Sequence, residues 1–296
     1  MFRRTGPALL ALFLSMPGLL TAQYFGRNKV QYTNFGFKVI QTEHFDVYYY
    51  DRERTAALDA ARMAERSYAR LSKVLNHEFR ERKPIILYAS HSDFLQTNAT
   101  EVSGEGTGGV TDFARNRAVM PFTGAYADFE HVLGHEMAHQ FQYDIWSRGR
   151  AGAGLNTLIA IAPPLWFAEG MAEYFSLGME PAAEMYVRDG TLTGYLPPLN
   201  AAGGYLVYKM GQSAVEFLIQ KRGEERFRDL MRRARQMHNF DRAFQRTYGL
   251  SPQRFDQQWR EMLRKRYWPT VSRLEHPETF GRRLTDHRRD ESVLNF

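Results

Sequence analysis

The spacing of hydrophobic residues changes from that of strands to that of a helix within the first third of the chain. Residues 37–41 and 45–50 are rich in β-branched and aromatic side chains and are joined by a short polar link, which predicts two strands. Residues 53–78 then follow a helical period with one apolar stripe. The apolar run at residues 84–89 predicts a third strand. This β-β-α-β order indicates a sheet covered by a helix.

The second half of the chain has an almost wholly helical pattern. After a loop closed by two prolines, periodicity predicts helices at about 165–177, 181–189, 202–221, 223–237, 239–247 and 252–267. The patterns together predict an α+β fold. Its parts are an N-terminal mixed β-sheet plus helices over residues 23–150, a mainly helical part over 151–268, and a linker or tail over 269–296.

The first 22 residues have the features of an export signal. Two arginines precede an apolar run at residues 8–14, and the small residues ending at Ala22 resemble a cleavage site. The run is too short to span a bilayer, so we favour a cleaved signal over a retained anchor. The chain contains no cysteine, hence no bacterial lipid-attachment site and no disulfide framework. We expect a periplasmic or secreted protein.

The charge along the chain is uneven. The formal net charge is +6, yet residues 221–296 alone hold 19 Lys and Arg against 11 Asp and Glu. Such a basic end could contact anionic polymers of the cell envelope. We favour the simpler interpretation, that these are solvated helix faces. We expect no nucleic-acid partner, because an exported chain would rarely meet one.

Three glycines in the pattern Gly104-x-Gly106-x-x-Gly109 formally match a dinucleotide-binding motif. That motif requires a preceding strand and a following helix, whereas residues 117–122 have an extended pattern. We therefore reject nucleotide binding. The glycines are expected to form a flexible lip leading into an edge strand at 117–122, where Pro121 fits better than at the centre of a sheet.

The clearest chemistry is carried by His-Glu-Met-Ala-His at residues 135–139. Two histidines four apart on a helix project from one face and can bind one ion, and Asp128 is the expected N-cap of that helix. A hydrolytic zinc ion needs three protein ligands and an open position for water, and Glu136 is placed to act as general base on that water. His131 continues the row but lies about 12 Å from His139 along the axis. We predict a capping or surface histidine there, not a ligand.

A third ligand must come from another element, and the helix predicted at 165–177 offers two carboxylates. Glu169 and Glu173 are four apart and face the same way. By position we assign Glu169 to the metal. We assign Glu173 to a hydrogen bond with the far ring nitrogen of a ligand histidine, expected to be His135, which fixes tautomer and orientation. The alternative, that both are surface carboxylates, is disfavoured by the aromatic residues around them.

These motifs resemble those of the gluzincin peptidases. More closely, the chain resembles the peptidase-MA-like domains that precede TolB-like β-propellers in exported bacterial proteins. The similarity rests on residues 134–140 and 166–170, and less specifically on 24–32, 42–50 and 104–111. It implies a zincin-like (thermolysin-like) fold and supports Glu169, which precedes a glycine, as the third zinc ligand.

The same resemblance bears on partners and on one further site residue. The stretch 281–285 is similar to a lead-in to a propeller, so we expect a separate β-propeller partner, a chain without that module, or a fragment of a longer protein. Tyr208-x-x-Gly211 resembles the Tyr-x-x-Gly of zinc aminopeptidases, in which the tyrosine donates to the oxyanion. By that resemblance Tyr208 is the oxyanion donor, with Tyr205 as runner-up and a core tyrosine as the alternative.

The leading hypothesis is an exported zinc metallopeptidase. Zinc would activate a water, Glu136 would take its proton, and the edge strand near 117–122 would hold an extended peptide or protein substrate. The alternative is a non-catalytic cell-envelope interaction module with a structural zinc site. Glu136 favours the enzyme, because a structural site needs no general base. Substrate identity, endo- or exopeptidase action and oligomeric state stay open.

Overall fold

A computed structural model describes residues 33–98, 108–147, 154–271 and 281–282. The predictions of an export signal at residues 1–22, of a lip at Gly104 and Gly106, and of most of the tail fall outside these residues. Every helix in the described part of the chain is too short or too polar to cross a membrane.

The fold is α+β, as predicted, with one mixed sheet. Its strands are β1 (Lys38–Gln41), β2 (Phe45–Tyr49), β3 (Lys83–Tyr88), β4 (Val110–Asp112) and β5 (Arg117–Pro121). Their spatial order is β1-β2-β3-β5-β4. The central strands β2, β3 and β5 are parallel, while β1 and β4 pair antiparallel at the two edges.

The prediction of an edge strand at residues 117–122 was wrong. Strand β5 pairs with β3 on one side and with β4 on the other, so it lies inside the sheet. Pro121 is tolerated because it is the last residue of the strand, opposite Tyr88. The edge belongs to β4, which at three residues is too short to show an alternating pattern in the sequence.

Ten α-helices lie in the described residues. They are α1 (Arg54–Leu75), α2 (His91–Phe94), α3 (Tyr126–Ser147), α4 (Gly154–Ile161), α5 (Leu165–Leu177), α6 (Pro181–Thr193), α7 (Gly204–Arg222), α8 (Glu224–Met237), α9 (Phe240–Tyr248) and α10 (Pro252–Val271). The six helices predicted after residue 164 are present, although α6 and α10 each extend about one turn further. Helix α4 lies in a segment expected to hold a loop and a short apolar stretch, because a run of eight mostly apolar residues is too short for periodicity to identify as a helix.

The core joins one face of the sheet to helices α1 and α3. The apolar stripe of α1 is buried from Ala57 to Leu75, and the helix ends at Asn76 in the left-handed conformation. Helix α3 begins at Tyr126, so Asp128 is not its N-cap but lies in its first turn, where a carboxylate is still favourable. From Leu133 to Gln142 every residue of α3 is buried. Helix α3 therefore runs through the middle of the molecule.

Helices α5 and α7 cross with their backbones in contact. A Cβ atom added to Gly170 would overlap the backbone of Gly211, and one added to Gly211 would overlap the carbonyl oxygen of Trp166. Only glycine allows this approach. The crossing brings Glu169, next to one glycine, towards Tyr208, three residues before the other.

We expect Gly211→Ala to lower the free energy of unfolding by about 3 kcal/mol or more, because the added methyl group meets backbone that cannot rotate away. Denaturant unfolding measures the loss. Gly203→Ala is the matched control, since its Cβ meets nothing within 4 Å. Its expected loss is under about 1 kcal/mol, from the preference for glycine over alanine at the start of a helix. Equal losses in the two variants would contradict the close crossing.

Candidate metal centre

Two helices present the candidate ligands. Helix α3 carries His135, Glu136 and His139, all buried, and α5 carries Glu169 and Glu173. The helices approach closely near Gly134, where an added Cβ would lie 3.2 Å from the Cβ of Ser176. A glycine before the first histidine thus lets the two ligand-bearing helices meet face to face.

Three ligand atoms from these helices converge on one point. The Nε2 atoms of His135 and His139 are 3.2 Å apart. The Oε2 atom of Glu169 lies 3.2 Å from the first and 3.4 Å from the second. Of the described residues, this triad is one of two groups that could hold a metal ion.

The other ring nitrogens show which form the histidines take. The Nδ1 atom of His135 lies 2.9 Å from the Oε1 of Glu173, and that of His139 lies 3.1 Å from the Oε1 of Gln142. Gln142 donates its Nε2 to the carbonyl of Ala168 at 2.8 Å, which turns its oxygen towards His139. In the neutral rings Nδ1 therefore carries the proton, and each Nε2 directs a lone pair at the carboxylate of Glu169. A metal ion between these three lone pairs would stabilise them, and in its absence a second proton on His135, shared with Glu169, relieves their repulsion.

The electrostatics of the centre favour a positive charge at this point, either a second proton on His135 or a bound metal ion. Burial lowers the pKa of His135, but hydrogen bonds to Glu169 and Glu173 and the charge of Glu136 outweigh it and raise that pKa to about 10. Burial raises the pKa of Glu169, yet the two imidazoles hold it well below its ordinary value. The centre has an excess of negative charge, which a bound cation would neutralise.

Glu173 is held by a buried lysine that the sequence did not reveal. Lys209, only 3% exposed, donates to Glu173 Oε2 at 2.7 Å and to Glu180 Oε1 at 3.0 Å. Glu180 in turn accepts from the backbone N–H groups at the start of α6. Burial lowers the pKa of Lys209, but both carboxylates raise it above its ordinary value, so the lysine stays charged. This series of hydrogen bonds fixes the carboxylate of Glu173, which orients the ring of His135.

The prediction that His131 is a capping or surface histidine was wrong. Its Nε2 lies 3.1 Å from the Oε1 of Glu173, so it neither caps the helix nor stands free at the surface. His131, His135 and Glu173 form the second group that could hold a metal ion. A cation there would displace the hydrogen bond to His135 Nδ1 and stand beside Lys209. The triad with Glu169 is therefore the better metal site.

A cleft of about 640 Å³ opens onto the triad. Its lining includes both ligand histidines, the two tyrosines of α7, and Glu136, Glu169, Glu173, Val110 and Thr111. The ring of Tyr208 stacks on His135 at 5.9 Å between centroids. Burial and the charge of Glu169 raise the pKa of Tyr208 to about 12, so its hydroxyl keeps its proton. Tyr205 is half exposed at the rim.

Four residues around the centre were not singled out from the sequence. Gln142 and Tyr143, whose ring stacks on His139, follow that histidine by three and four positions. Helical spacing could have identified them. Lys209 and Thr111 reach the centre from other elements, and no local spacing connects them to it.

No protein-family model matches the chain, and no curated protein matches its sequence. A fold alone does not define an activity. The function therefore has to be deduced from the metal centre and its cleft.

We expect Lys209→Met to weaken Zn²⁺ binding by about 10- to 100-fold, because Glu173 loses the charge that fixes it against His135. Competition with a chromophoric chelator measures the affinity. Lys221→Met is the matched control on the same helix, at an exposed lysine that bonds Gln258. Unchanged affinity in Lys209→Met would show that the lysine does not support the centre.

Proposed function

We propose that this protein is an exported zinc metallopeptidase of gluzincin type. The observation that carries the proposal is the convergence of three lone pairs from His135, His139 and Glu169, with the carboxylate of Glu136 beside them in an open cleft. In a tetrahedral zinc site with bonds of about 2.0–2.1 Å, ligand atoms lie about 3.3 Å apart. The three separations of 3.2, 3.2 and 3.4 Å fit that geometry.

The fold and the sequence add support. A mixed sheet with an antiparallel edge strand, a central helix with the two histidines and a helical second half agree with the zincin-like fold that the resemblance implies. Two imidazoles and one carboxylate are a ligand set that catalytic zinc uses when it keeps a position open. The features of residues 1–22 support action outside the cytoplasm.

When bound, zinc would supply a Lewis acid that makes water nucleophilic near neutral pH and polarises a carbonyl group. Glu136 takes the proton of the attacking water and passes it to the leaving amine. The hydroxyl of Tyr208 donates a hydrogen bond to the oxygen on which negative charge develops. Glu173 and Gln142 hold the histidine rings in place throughout.

The edge of β4 offers a way to hold the substrate. Strand β4 ends the sheet as far as the structure describes it, and its residues Val110 and Thr111 line the cleft. An extended peptide could therefore add to β4 through backbone hydrogen bonds. This moves the predicted peptide-binding edge from residues 117–122 to 110–112, on the side of the sheet next to Glu136.

The alternative is a non-catalytic envelope module with a structural metal. Structural zinc sites are closed, with four protein ligands. Here the triad faces a cleft large enough for part of a peptide, and Glu136 lines that cleft without belonging to the triad. Both features favour the enzyme.

We expect Glu136→Gln to keep its zinc and to lose cleavage of a fluorogenic peptide library by about 10²- to 10⁴-fold, because the amide cannot accept the proton. Glu130→Gln is the matched control, an exposed carboxylate of the same helix that pairs with Arg66. It should retain full activity. A wild-type protein that binds zinc and cleaves no peptide in the library would contradict the proposal and favour the envelope module.

Tyr208→Phe should lower kcat by about 10²-fold with little change in KM, because only the bond to the developing oxyanion is lost. Tyr205→Phe, at the rim of the cleft, should have a much smaller effect. Steady-state kinetics on one cleaved peptide separates the two tyrosines. If Tyr205→Phe gives the larger loss of kcat, the oxyanion role belongs to Tyr205.

A further inference from the structure

We infer that Thr111 is a positioning residue for Glu136, which its hydroxyl holds on the β4 side of the cleft, in a space that Gly109 leaves free. This inference rests on the proposed function of Glu136 as general base. It concerns a contact between strand β4 and helix α3 to which neither the spacing of the metal motif nor the resemblance assigned a role.

The contact is short and buried. The Oγ1 atom of Thr111 lies 2.6 Å from the Oε2 of Glu136 and 3.0 Å from its backbone oxygen. Both side chains are less than a tenth exposed. A hydroxyl has one proton to donate, and the nearer, charged acceptor takes it. A bond from a hydroxyl to a carboxylate at this distance belongs to the stronger class of hydrogen bonds.

Gly109 makes room for the same carboxylate. A Cβ added at Gly109 would lie 3.0 Å from the Cγ of Glu136, 3.1 Å from its Oε1 and 2.9 Å from a methyl group of Val132. Positions 109 and 111 are two apart on an extended segment and so face the same side. The glycine and the threonine together form a slot for Glu136. The last glycine of the motif that we rejected for nucleotides thus has a structural role.

A general base beside a metal needs such a restraint. The side chain of glutamate has three rotatable bonds, and a free carboxylate next to a cation with an open position would be drawn to that position as a further ligand. Glu136 would then compete with the water that it has to deprotonate. The hydrogen bond from Thr111 holds Oε2 of Glu136 away from the triad and leaves Oε1 to accept the proton of the water.

The hydrogen bond from Thr111 persists through the proton transfer. When Oε1 of Glu136 takes a proton, Oε2 becomes the carbonyl oxygen of the acid and still accepts from the hydroxyl of Thr111. The slot therefore holds Glu136 both before and after the proton transfer.

The test compares Thr111→Val, which keeps the shape and removes the hydroxyl, with Thr111→Ser, which keeps the hydroxyl. Thr111→Val should lower kcat for a cleaved fluorogenic peptide by about 10- to 100-fold, the usual effect of losing a partner that orients a site residue. KM should change little. Zinc affinity by chelator competition should stay the same or rise, since a released Glu136 can reach the metal. Thr111→Ser should restore most of kcat.

Thr191→Val is the control for loss of a threonine hydroxyl, because this residue donates to Val187 in helix α6, outside the cleft. It should leave kcat unchanged. Wild-type kcat in Thr111→Val, or a loss of kcat accompanied by weaker zinc binding, would overturn the inference. The second result would mean that Thr111 supports the whole centre and not the general base alone.

A second readout needs no catalytic activity. In a double-mutant cycle of Thr111→Val with Glu136→Ala, measured by the stability of the zinc-bound protein, the two changes should be coupled and not additive. Additive effects would overturn the inference. If the wild-type protein cleaves no peptide, the proposed peptidase function fails, and the cycle alone still decides whether Thr111 holds Glu136.

Discussion

The structure depends on one electrostatic constraint, the meeting of three lone pairs in the interior. In their neutral forms His135 and His139 donate through Nδ1 to Glu173 and Gln142, and their Nε2 atoms then direct lone pairs at the carboxylate of Glu169. Such an arrangement is repulsive unless a metal ion lies among the three atoms or one ring takes up a second proton. The buried Lys209 helps to hold this arrangement through its hydrogen bond to Glu173.

Glycines at three crossings allow the surrounding backbone to close around this centre. Gly134 lets α3 meet α5, Gly211 lets α7 meet α5 at Gly170, and Gly109 lets the start of β4 meet Glu136. A side chain at any of these positions would push apart elements that carry ligands or the general base. The cleft that opens onto the triad lies between β4 and α7.

The sequence predicted those features of the fold and site that have a local period. The apolar stripe of α1 and the pair His135 and His139 follow helical spacing. The change along the chain from strand-like to helical spacing predicted the order of strands and helices. Strand β4 was missed because three residues show no period, and the edge was therefore placed at 117–122. The contacts of Lys209 and Thr111 with the centre join residues 36 and 25 positions apart, and tertiary packing alone creates them.

X-ray absorption spectroscopy of the protein, equilibrated with Zn²⁺ and freed of excess metal, tests the central claim most directly. The account predicts one zinc ion per chain with two imidazole nitrogens and one carboxylate oxygen at about 2.0–2.1 Å. A protein that retains no stoichiometric zinc would contradict it. So would a spectrum with a third imidazole, which would bring His131 into the metal site and displace Glu169 from it.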